Sequence, residues 1–123
     1  MGVSVLVCVI IAVWCAEYDA ARIIQGKVIH HRLWWTIRAV VVAVTCIGSG
    51  VPLMAIGCAG LFSALFRWEL NTLRGLAWWY ISTSNLYDRA WIKIGGSVKA
   101  GGIAATCAEY SVFLGVVVYY LMR

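Results

Sequence analysis

Glu109 is the residue whose chemistry stands out first. It is the only charged group between Lys99 and Arg123, in an otherwise apolar run. An ionised carboxylate at the centre of a bilayer costs about 2.5–3.5 kcal/mol on insertion scales. Such a group has to be protonated, paired, or turned toward a polar cavity. Two roles are open to it: a proton or substrate site, or a neutral structural Glu hydrogen-bonded to Thr45, Ser63 or a backbone carbonyl. Glu109 is therefore the candidate intramembrane ionisable centre.

A second constellation is interfacial. It gathers Glu17, Asp19, Arg22, His30, His31, Arg67, Asn71, Arg74 and Asp88. Asp19 and Arg22 are three apart and share a helix face. Arg67, Asn71 and Arg74 follow at spacings of four and three, so they project from one face. Acids and bases at helix ends pair to fix helix register. The sharper alternative is an anion or lipid-headgroup pocket on Arg67 and Arg74. His30 and His31 with Asp19 and Asp88 have the side chains for a metal site, but adjacent histidines point in different directions on a helix, and none is expected. No Ser/His/Asp set, phosphate loop or dinucleotide fingerprint is present, so neither a catalytic residue nor a cofactor is expected. Cys8, Cys15, Cys46, Cys58 and Cys107 lie in apolar runs without ligand or CxxC spacing. They read as small buried apolar residues.

The elements that position these residues belong to an oily chain. Its 123 residues suggest one domain. They are 63% hydrophobic and 12% charged, against about 25% charged in soluble domains. The mean hydropathy is +0.89. Such a chain cannot cover its surface with polar groups, so lipid must do part of the covering. The formal net charge of +5 reads as the cytoplasmic bias of Lys and Arg in membrane proteins, not as a nucleic-acid footprint.

The pattern predicts an all-α integral membrane protein, a single domain over 1–123. Helices are expected at about 3–25, 33–48, 51–74 and 98–122, with a short interfacial helix at about 85–94. The first 16 residues lack a basic leader and a small-residue cleavage site, so this helix is expected to be retained. Gly26 is placed to stop it in a left-handed cap. The segment from Arg67 to Lys93 is too polar for hydrocarbon but rich in Trp and Tyr, which suits a membrane–water boundary. Within it, Ser82–Asn85 reads as a turn with an N-cap and Asp88 falls in the first helical turn. Leu86, Tyr87, Ala90, Trp91 and Ile94 then form an apolar stripe opposite Asp88, Arg89 and Lys93, the pattern of a helix lying in the membrane plane. On the last helix, Gly96, Ala100, Ala104 and Ala108 recur every four residues, a spacing that lets helices approach closely in lipid.

Charge placement decides between three spans and four. Ala39 to Phe66 holds 28 residues, about 42 Å as one helix. Crossing once would put the basic residues before it and after it on opposite sides. Turning at Gly48–Pro52 puts nine of the ten basic residues on one side, as the positive-inside bias requires. Four spans are expected, helices two and three forming a hairpin, with both termini outside. A re-entrant hairpin gives the same charge topology.

Two stretches carry a resemblance. One holds Asp19, Arg22, Gly26 and His30; the other holds Asn71, Arg74, Gly75, Trp78, Tyr80, Asp88 and Arg89. Together, over about a third of the chain, they resemble small uncharacterised multi-helix membrane proteins of bacteria and their phages. The resemblance implies a membrane protein, a bacterial inner-membrane location among them, and supplies no catalytic role.

The expected function is that of a non-enzymatic structural or accessory subunit. The lipid bilayer is one partner, and a protein partner or a second copy is met through the small-residue helix face. The alternatives are an oligomeric small transporter or channel centred on Glu109, and a holin-like pore former.

Overall fold

The computed structural model describes residues 2–27 and 31–123, with the side chains of 31–34 excepted. These residues form five helices and no strand: α1 (Gly2–Ile24), α2 (His31–Gly48), α3 (Met54–Leu73), α4 (Leu86–Gly95) and α5 (Val98–Leu121). All five expected helices are present, with ends within three residues of those read from sequence.

The breakers act as the sequence predicts. Gly26, at φ 66°, ends α1, and the Lys27 N–H closes on the Arg22 carbonyl at 2.9 Å. Gly75, at φ 67°, does the same for α3, with the Leu76 N–H on the Asn71 carbonyl at 2.8 Å. Both are the paired bonds that finish a helix on a left-handed residue. The Asn85 side chain caps α4 through the Tyr87 N–H, and Ser97 caps α5 through the Ala100 N–H.

Helix α3 is central and packs against α1, α2 and α5. At one end of the bundle, the Cys8 thiol donates to the Cys58 carbonyl. Toward the other end, Arg38 pairs with Asp19 and lies over the Phe66 ring. Thus α1 and α3 run parallel, with α2 antiparallel to both. The Leu53 N–H donates to the Tyr120 hydroxyl, and Arg67 meets Glu109 further along, so α5 runs back against α3. The core is Cys8, Ala12, Cys15, Val42, Cys46, Met54, Cys58, Leu61 and Phe62.

The apolar residues are arranged inside out. The buried face of α1 is Ser4, Cys8, Ala12, Cys15, Ala16, Asp19 and Ala20, whereas Leu6, Ile10 and Trp14 face outward at 57–59% exposure. Val44, Ile47, Ile56, Leu114 and Leu121 are exposed in the same way on the other long helices. A water-soluble bundle turns its large apolar side chains inward; here Val42, Met54, Leu61 and Phe62 are buried, but many of the large apolar side chains point outward.

Two described helices are long and apolar enough to cross a membrane: α1 and α5. The expected four are not all of that kind. The described apolar stretch of α2 is Trp35–Gly48, and α3 carries Arg67 and Glu69 in its last two turns. Helix α4 also differs from expectation. It is tied to α5 near both of its ends: Gly95 sits against the backbone of Ala100 and Gly101, and Tyr87 reaches Glu109. It folds back on α5 and does not lie free of it.

Candidate functional site

The polar residues of the sequence converge most closely where α3, α4 and α5 meet. Gly60 allows the approach of α3, since a side chain there would come within 2.6 Å of the Glu109 carbonyl. Gly101 leaves room for the α4 backbone at Trp91, and Gly102 for the Trp79 carbonyl. Glycine is needed at these contacts because backbone, not a movable side chain, fills the space.

Glu109 is buried, and its Oε1 gathers three donors. Arg67 Nη2 lies at 2.6 Å, the Ser63 hydroxyl at 2.7 Å and the Tyr87 hydroxyl at 2.9 Å. Arg67 also donates to Thr106 Oγ1 at 3.0 Å, and that hydroxyl donates to the Gly102 carbonyl. Glu109 Oε2 is buried with no hydrogen-bond partner among the described residues. Of the three outcomes open to this acid, pairing is the one realised. Ser63 is a partner as expected, while Thr45 bonds its own helix at Val41.

The segment between α3 and α4 completes the site. The Asn71 side-chain amide donates to the carbonyls of Trp78 (3.3 Å) and Tyr80 (2.8 Å), pinning the loop. Asp88 accepts the Ser82 N–H at 2.9 Å. Burial pushes the Asp88 carboxyl above its ordinary range; the charge on Glu109 adds to the push, while the Ser82 N–H and Arg67 oppose it. Burial also raises Tyr87, helped by its bond to Glu109.

A second ion pair ties α1 to α2. Arg38 Nη2 lies 3.0 Å from Asp19 Oδ2, both residues buried, and the guanidinium sits 4.8 Å from the Phe66 ring centroid. Asp19 does not share a surface face with Arg22, as the three-residue spacing suggested. Arg22 instead lies over the Tyr18 ring at 5.9 Å. Because Phe66 and Arg67 are neighbours on α3, both ion pairs sit on one level of the bundle.

The interfacial constellation is thus divided. Arg67, Asn71 and Asp88 join the site around Glu109; Asp19 belongs to the other pair; Arg74 is exposed at the end of α3. Arg67 turns to Glu109, so Arg67 and Arg74 do not form a common pocket. His30 and the side chain of His31 lie outside the described residues. Among those described, no three His, Cys, Asp or Glu are placed to hold a metal ion. The small-residue stripe does not make the closest contacts within the chain. Within the chain the closest approaches fall at Gly101 and Gly102, with Ala105 buried; Gly96 and Ala100 are exposed, and Ala104 and Ala108 half-buried. The face that wins is the one that carries Glu109 to Arg67.

Sequence reasoning missed Tyr87 and Thr106 as partners here, and Arg38 as the partner of Asp19. A signal for the last existed: Cys8, Ala12, Cys15 and Asp19 fall on one helical stripe, which puts Asp19 on the packed face. A cavity of about 370 Å³ opens between α2 and α3, lined by Trp35, Val42, Ala55, Ala59 and Phe62 with Arg38 at its edge, and is almost wholly apolar. Comparison with protein-family models, curated proteins and solved structures finds no match to the chain.

Proposed function

We propose that this chain is a multi-span integral membrane protein acting as a structural or accessory subunit, without enzymatic activity of its own. The observation that carries the membrane reading is the helix pattern in which many Val, Leu and Ile point outward, while Cys and Ala make up most of the buried apolar residues. In the finer form of the proposal, α1, α2, α3 and α5 cross as four spans. The alternating directions of these helices support it, as does the placing of nine of ten basic residues at one end. That end faces the cytoplasm of a bacterial cell, and α4 lies in its headgroup zone.

The structural role rests on how the charges are used. Asp19 and Glu109 are each joined to an Arg from a neighbouring helix, an arrangement that locks helices together. The exposed Ala100 and half-buried Ala104 leave a small-residue edge of α5 for a partner helix. Purification in mild detergent is expected to recover one partner, or a second copy, in fixed stoichiometry, and Ala100→Leu to release it. A lone monomer in both samples overturns the subunit reading.

An oligomeric transporter or channel is the second reading, favoured by the buried Glu109 Oε2 that accepts no hydrogen bond. It requires Glu109→Gln to abolish proton-coupled uptake into vesicles; flux equal to wild type removes it.

A further inference from the structure

Helix α4 shows three sides, and the chain itself packs against one of them. The packed side holds Asp88, Trp91, Ile92 and Gly95, all half-buried. Gly95 sits against the backbone of Ala100 and Gly101, and Gly101 against that of Trp91 and Ile92. The second side is apolar and bare. Leu86 and Ile94 are 81% and 71% exposed, with Ala90 exposed between them. The third side is basic. Arg89 and Lys93 are four residues apart, share a face and are both exposed. At about 3.6 residues per turn, this basic strip borders the apolar one along the length of the helix.

The basic strip has no counter-charge of its own. Asp88 is the one acid on α4. It turns to the packed side, where it accepts the Ser82 N–H at 2.9 Å. The ion pairs among the described residues are Arg38 with Asp19 and Arg67 with Glu109, so neither Arg89 nor Lys93 is in one. Lys99 in the first turn of α5 and Arg74 at the end of α3 are exposed and outside those pairs in the same way. A helix facing water alone can carry such a strip as a solvated face. It gains nothing by exposing Leu86 and Ile94 beside it.

We propose that the two free sides of α4 form a docking surface for anionic phospholipid. Arg89 and Lys93 bind the headgroup phosphates, and Leu86, Ala90 and Ile94 enter the acyl chains beneath them. The long stems of Arg and Lys let their charges stand at phosphate level while the apolar strip sits lower. Charge selects the occupant. A zwitterionic headgroup brings a cation of its own to a surface that has no acid to receive it; an acidic headgroup brings none. The inference rests on the reading that α4 lies in the headgroup zone, and adds which lipids the helix selects there.

The test is native mass spectrometry of the full chain in neutral detergent, titrated with phosphatidylglycerol or phosphatidylcholine of matched tails. The wild type is expected to retain phosphatidylglycerol in preference. Each basic residue at an anionic surface is worth about fivefold in binding. Arg89→Gln combined with Lys93→Gln is therefore expected to weaken phosphatidylglycerol binding by about 25-fold, with phosphatidylcholine unchanged. Arg89→Lys with Lys93→Arg keeps the preference. Lys27→Gln with Arg123→Gln removes as much charge elsewhere and also keeps it. All four of these side chains are exposed, so helix content by circular dichroism is expected to hold in every variant. Equal retention of the two lipids by the wild type, or a preference that survives the double Gln change, overturns the inference and leaves the headgroup-zone reading standing; the basic strip would then belong to an acidic protein partner. Displacement of the lipid by sodium phosphate, but not by sodium chloride at equal ionic strength, also overturns it, in favour of a free anion. A wild type that retains neither lipid overturns it too, and if that protein stays monodisperse once detergent is removed, the membrane reading falls with it.

Discussion

Asp19 and Arg38 show what a buried charge does in this protein. Each is almost wholly enclosed, and each depends on the other. Removing one partner leaves the second charge buried without its counter-charge, which costs about 3–5 kcal/mol. Asp19→Leu and Arg38→Leu are each expected to lower the melting temperature in detergent sharply. The double variant is expected to recover most of that loss, because well-packed apolar pairs replace buried ion pairs at little cost. Equal damage from the double and the single changes would show that the pair is not the cause. At this scale the sequence told which groups were expensive, since an acid or Arg in an apolar run has few alternatives to pairing. It did not tell which partner each would take. Local spacing put Asp19 with Arg22 and set Arg67 beside Arg74 as a shared anion pocket, but contacts 19 and 42 residues apart prevail, and these depend on how whole helices meet.

Helices were legible because their ends are written in residues with narrow conformational preferences. Gly26, Gly50, Gly75 and Gly96 all adopt positive φ; Gly26 lies at the expected stop of α1 and Gly50 in the expected turn at Gly48–Pro52. Asn85 and Ser97 cap the helices that follow. Replacing Asn85 by Ala is expected to cost about 1 kcal/mol through loss of the bond to the Tyr87 N–H. What could not be read was where two backbones touch. Gly101 and Gly102 look no different in sequence from Gly115, yet a side chain at Gly102 would collide with the Trp79 carbonyl, whereas Gly115 has open space around it. Gly102→Val is therefore expected to destabilise by about 1–3 kcal/mol and to expose the 74–85 loop to protease. Gly115→Ala is expected to be neutral or slightly stabilising, as Ala is the better helix former. Similar behaviour of the two variants, read by limited proteolysis, would place the loop elsewhere.

For the molecule as a whole, the four-span arrangement makes a sidedness prediction. In a Cys107→Ser background, which removes the exposed thiol, Ser49→Cys is expected to react with a membrane-impermeant reagent from outside the cell. Ser84→Cys is expected to react only after the membrane is opened. Labelling of both from one side would mean that α3 does not cross. The all-helical character and the two long apolar helices, α1 and α5, were legible from composition and the length of the apolar runs. The number of candidate spans was not, because the sequence reading lengthened α2 and α3 with charged and aromatic ends, and among the described residues only α1 and α5 are long and apolar enough to cross.

The common level of the two ion pairs has one more consequence. Measured along α3 from Met54 to Arg67, or along α5 from Glu109 to Leu121, the uncharged girdle is only about 18–20 Å tall at 1.5 Å per residue. An ordinary bilayer offers about 30 Å of acyl chain. Lipids beside this protein would have to tilt, shorten or compress by several ångströms. Reconstituted into vesicles of graded tail length, the protein should melt highest in the shortest tails that still seal, and crowd together in the longest.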